Sequence, residues 1–107
     1  MPSNQSMGFD WRGLRFEGTF QDPTDLLPKS GIYVIWCNRG NGLAILDIGE
    51  SGDVRGRVLS HRKDCWQEKC VGQITYAAHY TPALDEAGRK RLESQLRTTD
   101  HPPCGSA

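Results

Sequence analysis

The chain reads as an α/β protein of the α+β kind: a small three-stranded, mainly antiparallel sheet flanked by helices, in the order β-β-α-β-α. Three observations predict this. Gly31 to Cys37 is an almost unbroken β-branched and aromatic run, the pattern of a strand buried on both faces. The turn cluster Asn38-Arg39-Gly40-Asn41-Gly42 separates it from a second strand, Leu43 to Gly49, and so short a connection makes an antiparallel hairpin. Two stretches with apolar residues at helical spacing then flank a third β-rich run.

The elements follow in order. Residues 1–27 are expected to form a partly disordered N-terminal arm, and residues 28–107 the domain proper. Within the arm, Trp11 to Phe20 alternates weakly through Leu14, Phe16 and Phe20, which fits a short strand or a covering segment. Asp22-Pro23-Thr24-Asp25 followed by Leu26-Leu27 reads as a capped helical turn, ended by Pro28 and Gly31. Asp53 is a candidate N-cap, and Val54, Val58 and Leu59 predict a helix from Val54 to about Arg62. Gly56 inside it costs ~1 kcal/mol relative to alanine. Ile74 to Tyr80 is the third strand, closed by Thr81-Pro82. A second helix runs from Asp85 to about Thr98 with Leu92 and Leu96 on its buried stripe, and Pro102-Pro103 forbids its continuation.

A length of 107 residues accommodates one domain that buries ~65% of its unfolded surface. Thirteen basic and 13 acidic side chains give zero formal net charge, which excludes nucleic-acid binding by bulk charge alone. A local basic face remains open, because screening confines electrostatic attraction to about 10 Å at 0.1 M salt. No apolar run approaches the ~20 residues of a membrane span. The first residues show no basic-then-apolar leader. A cytoplasmic location and no membrane partner are therefore expected. In that compartment Cys37, Cys65, Cys70 and Cys104 are expected to be free thiols. Zinc is not expected: His61, Cys65 and Cys70 lack the tight C-x₂-C spacing.

Four sets of residues can carry chemistry. Alternate strand residues share a face, so a hairpin closing at residues 38 to 42 brings Tyr33 near Asp47. Arg57 and His61 stand four apart on one helix face, a pairing able to clamp a phosphate and move a proton. Arg55, Arg62 and Lys63 extend the basic surface as nucleic-acid contacts. Glu93 lies at the edge of the apolar stripe, and one carboxylate is enough to hold Mg²⁺ or Mn²⁺ beside water and phosphate. Glu93 can equally be an ordinary helix glutamate paired with Arg89 or Arg97.

Each signal is weak alone. In order, Gly31-Ile32-Tyr33, Asp47-Ile48-Gly49, Arg57 and His61 eight and twelve residues after Gly49, Glu93 within Arg91-Leu92-Glu93-Ser94-Gln95-Leu96, and the closing His101-Pro102-Pro103-Cys104-Gly105 resemble the GIY-YIG nuclease domain. The likeness spans about Pro28 to Gly105. It implies a metal-dependent endonuclease that hydrolyses DNA phosphodiester bonds. Glu93 would be the ligand of one Mg²⁺ or Mn²⁺, Arg57 the phosphate clamp, and Tyr33 with His61 or Asp47 the groups that orient and deprotonate water. The family usually joins this domain to a separate DNA-recognition module, and none is read in this sequence, so DNA is the expected partner and cutting is expected to be structure-directed or unspecific unless a protein partner supplies targeting.

Three positions depart from the pattern. Asp47 stands where the family has its second tyrosine, Glu50 follows the motif glycine, and His101 or Gly105 stands where a tail asparagine is expected. Two extra acids at a phosphate site repel an anionic substrate unless a metal compensates. The expectation is a weak nuclease that Asp47→Tyr strengthens. The alternatives are a non-catalytic nucleic-acid- or protein-binding module of the same fold and a small zinc-stabilised interaction domain.

Overall fold

The computed structural model describes residues 8–105; the first seven residues of the expected arm lie outside them. The elements are β1 (Gly8–Trp11), β2 (Leu14–Phe20), a 3₁₀ turn at Pro23–Asp25, β3 (Gly31–Asn38), β4 (Leu43–Ser51), α1 (Val54–Ser60), α2 (Asp64–Lys69), β5 (Gln73–Tyr80) and α3 (Glu86–Asp100). The strands form one antiparallel sheet in the order β1-β2-β5-β3-β4. The three expected strands are its β5-β3-β4 portion, so the sheet has five strands, not three. Residues 8–20 add the other two by pairing with the outer side of β5. Only Phe16 of β2 is fully buried, and Arg15 and Glu17 flank it, so the sequence offered little of the alternation that marks a strand.

The two faces of the sheet bury separate cores. Tyr33, Ile35, Cys37 and Leu46 pack against Val54 and Val58 of α1, Trp66 of α2 and Cys104 of the tail. Ile32, Val34, Trp36 and Ile48 pack with Phe16 and Leu96 on the other side. Helix α3 packs along β4, and Arg97 from it donates to the Ile48 carbonyl at 2.6 Å. The tail returns beside the same strand, where the Cys104 amide donates to the Leu46 carbonyl at 2.9 Å. This wrapping of the β4 side is what brings α3 residues round to the face that carries Tyr33.

The β3–β4 hairpin has a bulge. Ile35 pairs with Asp47 and Trp36 with Ile45, leaving Leu46 without a partner in β3. The extra residue resets the alternation: Leu46 enters the core that holds Trp66, and its neighbour Asp47 also bonds to Trp66.

Helix α2 was not expected. It has six residues and buries only Trp66, too short a run to display a period. Helix α1 stops at Ser60, two residues before the expected end, because His61 takes an extended conformation.

The free-thiol expectation is overturned. Cys37 is bonded to Cys70 and Cys65 to Cys104, with Cα–Cα distances of 5.4 and 5.8 Å. The sheet and the returning tail bring together cysteines 33 and 39 residues apart, a proximity that spacing in the sequence does not reveal. Among the described residues, no helix is long and apolar enough to cross a membrane.

Candidate active site

A cleft of about 470 Å³ opens between α1, α3 and the β3–β4 hairpin, lined by Tyr33, Asp47, Ile48, Arg57, His61, Arg62, Asp64, Cys65, Glu93, Arg97 and Gly105. Five sequence-derived candidates, Tyr33, Asp47, Arg57, His61 and Glu93, thus line one cavity, though they span 60 residues of chain.

Tyr33 pairs directly with Gly49 across the hairpin. A Cβ at Gly49 would overlap Cζ and Oη of the phenol, so the motif glycine is what lets the ring lie across β4. Burial pushes the Tyr33 hydroxyl up to about 12; the Asp47 charge adds to this and Arg57 pulls the other way. At neutral pH Tyr33 is therefore a neutral phenol, able to donate and accept a hydrogen bond.

The His61 ring stacks on Trp66, with centroids 4.6 Å apart and planes 22° from parallel, and Tyr33 meets it edge-on at 6.3 Å. Its Nδ1 lies 2.6 Å from the Arg62 carbonyl oxygen. A carbonyl only accepts, so Nδ1 carries the proton and the neutral ring keeps its lone pair on Nε2. Nε2 lies 3.7 Å from Asp47 Oδ2, beyond hydrogen-bond reach.

Asp47 is 2% exposed and both its oxygens are engaged. Oδ2 accepts from Trp66 Nε1 at 2.9 Å, and Oδ1 accepts from Arg97 Nη1 at 3.0 Å and from the Ile48 amide at 2.8 Å. Arg97 also donates to the carbonyls of Ile48 and Cys104. The tail closes over this pair at Gly105, whose φ of +80° favours glycine and where a Cβ would stand 2.5 Å from Asp47 Oδ1. Asp47 Oδ1 is thus spent on two donors, while Oδ2 accepts one bond, from Trp66.

Glu93 is half-buried. Burial raises its carboxyl above the ordinary value, Arg97 lowers it, and Glu50 and Asp47 add to the rise. Among the described residues no salt bridge reaches it. Arg89, one expected partner, bonds to Glu50 at 2.9 Å. Arg97, the other, bonds to Asp47. Asp47 and Glu50 are thus each paired with a protein cation, and among the described residues Glu93 is the cleft carboxylate without an ion-pair partner.

The basic residues divide. Arg57 and Arg62 line the cleft; Arg62 also meets exposed Asp64 at 3.2 Å, a contact of little strength. Lys63 does not: its ammonium donates to the carbonyls of Val58, Leu59 and His61, closing the C-terminus of α1. Arg55 stands apart, outside the cleft lining. Sequence reasoning missed Trp66, Arg97 and the cystine Cys65–Cys104. For Arg97 a signal existed, since it sits one turn after Glu93. For Trp66 there was none.

Among the described residues no group of three or more His, Cys, Asp or Glu side chains gathers as a metal cage. A divalent ion fits the cleft in another way, through one desolvated and unpaired carboxylate with room for water and phosphate oxygens. No family model, curated protein or solved structure matches this chain.

Proposed function

We propose that this chain is a metal-dependent endonuclease-like domain of the GIY-YIG type, hydrolysing DNA phosphodiester bonds. One observation supports it above all: a buried phenol from β3, an arginine from α1, a histidine just after α1 and an unpaired carboxylate from α3 meet in a single cleft.

Arg57 clamps the scissile phosphate and offsets charge that builds on its oxygens. Tyr33, a neutral phenol, orients the attacking water. The free Nε2 of His61 takes the proton as the water oxygen bonds to phosphorus and the bond to the leaving sugar oxygen breaks. Glu93 is the side chain that would hold Mg²⁺ or Mn²⁺, and when bound the ion supplies Lewis-acid polarisation of a phosphoryl oxygen. Arg62 at the rim makes a further backbone contact.

A second reading has its own support. Asp47 occupies the place of a catalytic phenol and is spent on structure, which favours a non-catalytic module that binds nucleic acid or a protein partner through Arg57 and Arg62. A zinc-held domain is not proposed, because all four sulfurs are bonded in pairs. The same disulfides favour an oxidising compartment over the cytoplasm.

The deciding experiment is plasmid nicking with Mg²⁺, with Mn²⁺ and with chelator, alongside Glu93→Ala. Nicking that needs metal and is lost in the variant supports hydrolysis. DNA binding without nicking under every metal condition selects the binding module.

A further inference from the structure

We propose that Asp47 is a positioning residue that acts through Trp66, holding the His61 ring in place in the cleft. The inference rests on the nuclease reading only for its rate measurement.

His61 needs an external support. It follows the last residue of α1, with an extended backbone at φ −70° and ψ 145°, so helix geometry does not set its ring. The ring is held by the contact of Nδ1 with the Arg62 carbonyl, the edge of Tyr33 and the face of Trp66. Of these, the indole is the broad surface, stacked nearly parallel to the imidazole.

The indole is itself fixed by Asp47. Trp66 is fully buried, and its single polar atom, Nε1, sits on the ring edge. A bond of 2.9 Å from that edge to Asp47 Oδ2 stops the ring from turning in its slot. Burying a tryptophan does not require such a bond here: on the opposite face, Trp36 Nε1 is buried with no partner. The Trp66–Asp47 bond is thus a specific feature of the cleft side.

The rest of the network holds this pair steady. Cys65–Cys104 ties one end of α2 to the tail, and Cys70–Cys37 ties its other end to β3, so the helix as a whole is restrained. The remaining freedom is rotation of the indole. Arg97 neutralises Asp47 and locks its second oxygen. Asp47 Oδ2 also lies 3.7 Å from His61 Nε2, too long for a hydrogen bond but close enough for direct charge interaction, so Trp66→Phe, which leaves the Asp47 charge in place, isolates the route through the indole.

The test uses the full chain with its disulfides intact. His61 ring protons are followed by NMR and assigned by comparison with His61→Gln. Stacking on an indole displaces these resonances by ring current. Three variants are compared with the wild type. Asp47→Asn disturbs the acceptor. Trp66→Phe keeps an aromatic face but removes the N–H. Val34→Ala loosens the opposite core and controls for general destabilisation. Asp47→Asn and Trp66→Phe are expected to shift the His61 resonances and change its ring-to-ring nuclear Overhauser contacts with position 66 in the folded state, and Val34→Ala to leave both in place. In plasmid nicking the first two lower kcat by about tenfold or more with KM within about twofold, the size of loss expected from ångström-scale misplacement. Trp66→Phe alone suffices for the comparison if Asp47→Asn does not fold. Ring-to-ring nuclear Overhauser contacts between His61 and position 66 that stay as in the wild type in folded Asp47→Asn and Trp66→Phe, or a kcat loss no greater than that of Val34→Ala, overturn the proposal. If those contacts change as expected but the wild type does not nick DNA, the positioning role stands and the nuclease reading fails.

Discussion

Gly49→Ala is expected to dislodge Tyr33 while changing nothing else in the cleft. The backbone at Gly49 is ordinary, so the effect comes only from space. A methyl there overlaps Cζ and Oη of the phenol, and even the third nearest atom, Cε1, would lie at 2.7 Å. Carbon atoms in contact rest at about 3.5–4.0 Å, so the ring or the strand must move by about 1 Å. Neither moves freely: Tyr33 is 3% exposed and packed in the core, and β4 is tied to α3 and the tail through Arg97 and Cys104. Overpacking of this kind costs about 1–3 kcal/mol. At roughly 4–8 °C per kcal/mol for a domain of this length, a loss of about 2 kcal/mol lowers Tm by about 8–16 °C. Thermal unfolding followed by circular dichroism reads it. The same substitution in a Tyr33→Ala background, where the space is free, should carry almost no penalty, giving a coupling of about 2 kcal/mol. A Gly49→Ala penalty below about 0.5 kcal/mol, the scatter of ordinary surface changes, refutes the steric reasoning. So does a penalty that persists unchanged without the Tyr33 ring.

Three further outcomes are expected. Because burial raises the Glu93 carboxyl, its contribution to stability is fully present below the unfolded value near 4.5 and is lost as pH rises through the folded value. In chelator, Glu93→Gln should therefore melt higher than the wild type at pH 7 and match it in acid, while Mg²⁺ should stabilise only the wild type; equal melting at both pH values would count against a desolvated carboxylate. Asp47→Tyr, which the sequence suggested would raise activity, should instead destabilise by about 3–5 kcal/mol by stranding buried Arg97 and the Trp66 N–H, and denaturant unfolding measures this; a more active and equally stable variant would restore the original expectation. Peptide mapping without reductant should recover Cys37–Cys70 and Cys65–Cys104. Each closes a loop of more than 30 residues, so replacing either pair by serine should cost about 4 kcal/mol, and free thiols throughout would contradict the pairing.

The β3–β4 hairpin, β5, α1 and α3 were legible in the sequence because each is written in local periodicity. Gly31 to Cys37 repeats β-branched and aromatic residues, and Leu92 and Leu96 recur at one turn. The candidates Tyr33, Arg57, His61 and Glu93 were legible as residue types at a familiar spacing, and their side chains face a common cleft. Other features depended on contacts between distant parts of the chain. β1 and β2 have little alternation of their own and are strands because β5 offers a partner. Asp47 was read as a base or metal contact, but its partners Trp66 and Arg97 lie 19 and 50 residues away. The cysteines were read as thiols, yet the sheet and tail set them within bonding distance. Local propensity and alternation are properties of a few consecutive residues, so sequence alone determines where β3, β4, β5, α1 and α3 form. One bulged residue at Leu46, or one returning tail, decides which side chains meet, because long-range packing sets the partners that satisfy a buried charge.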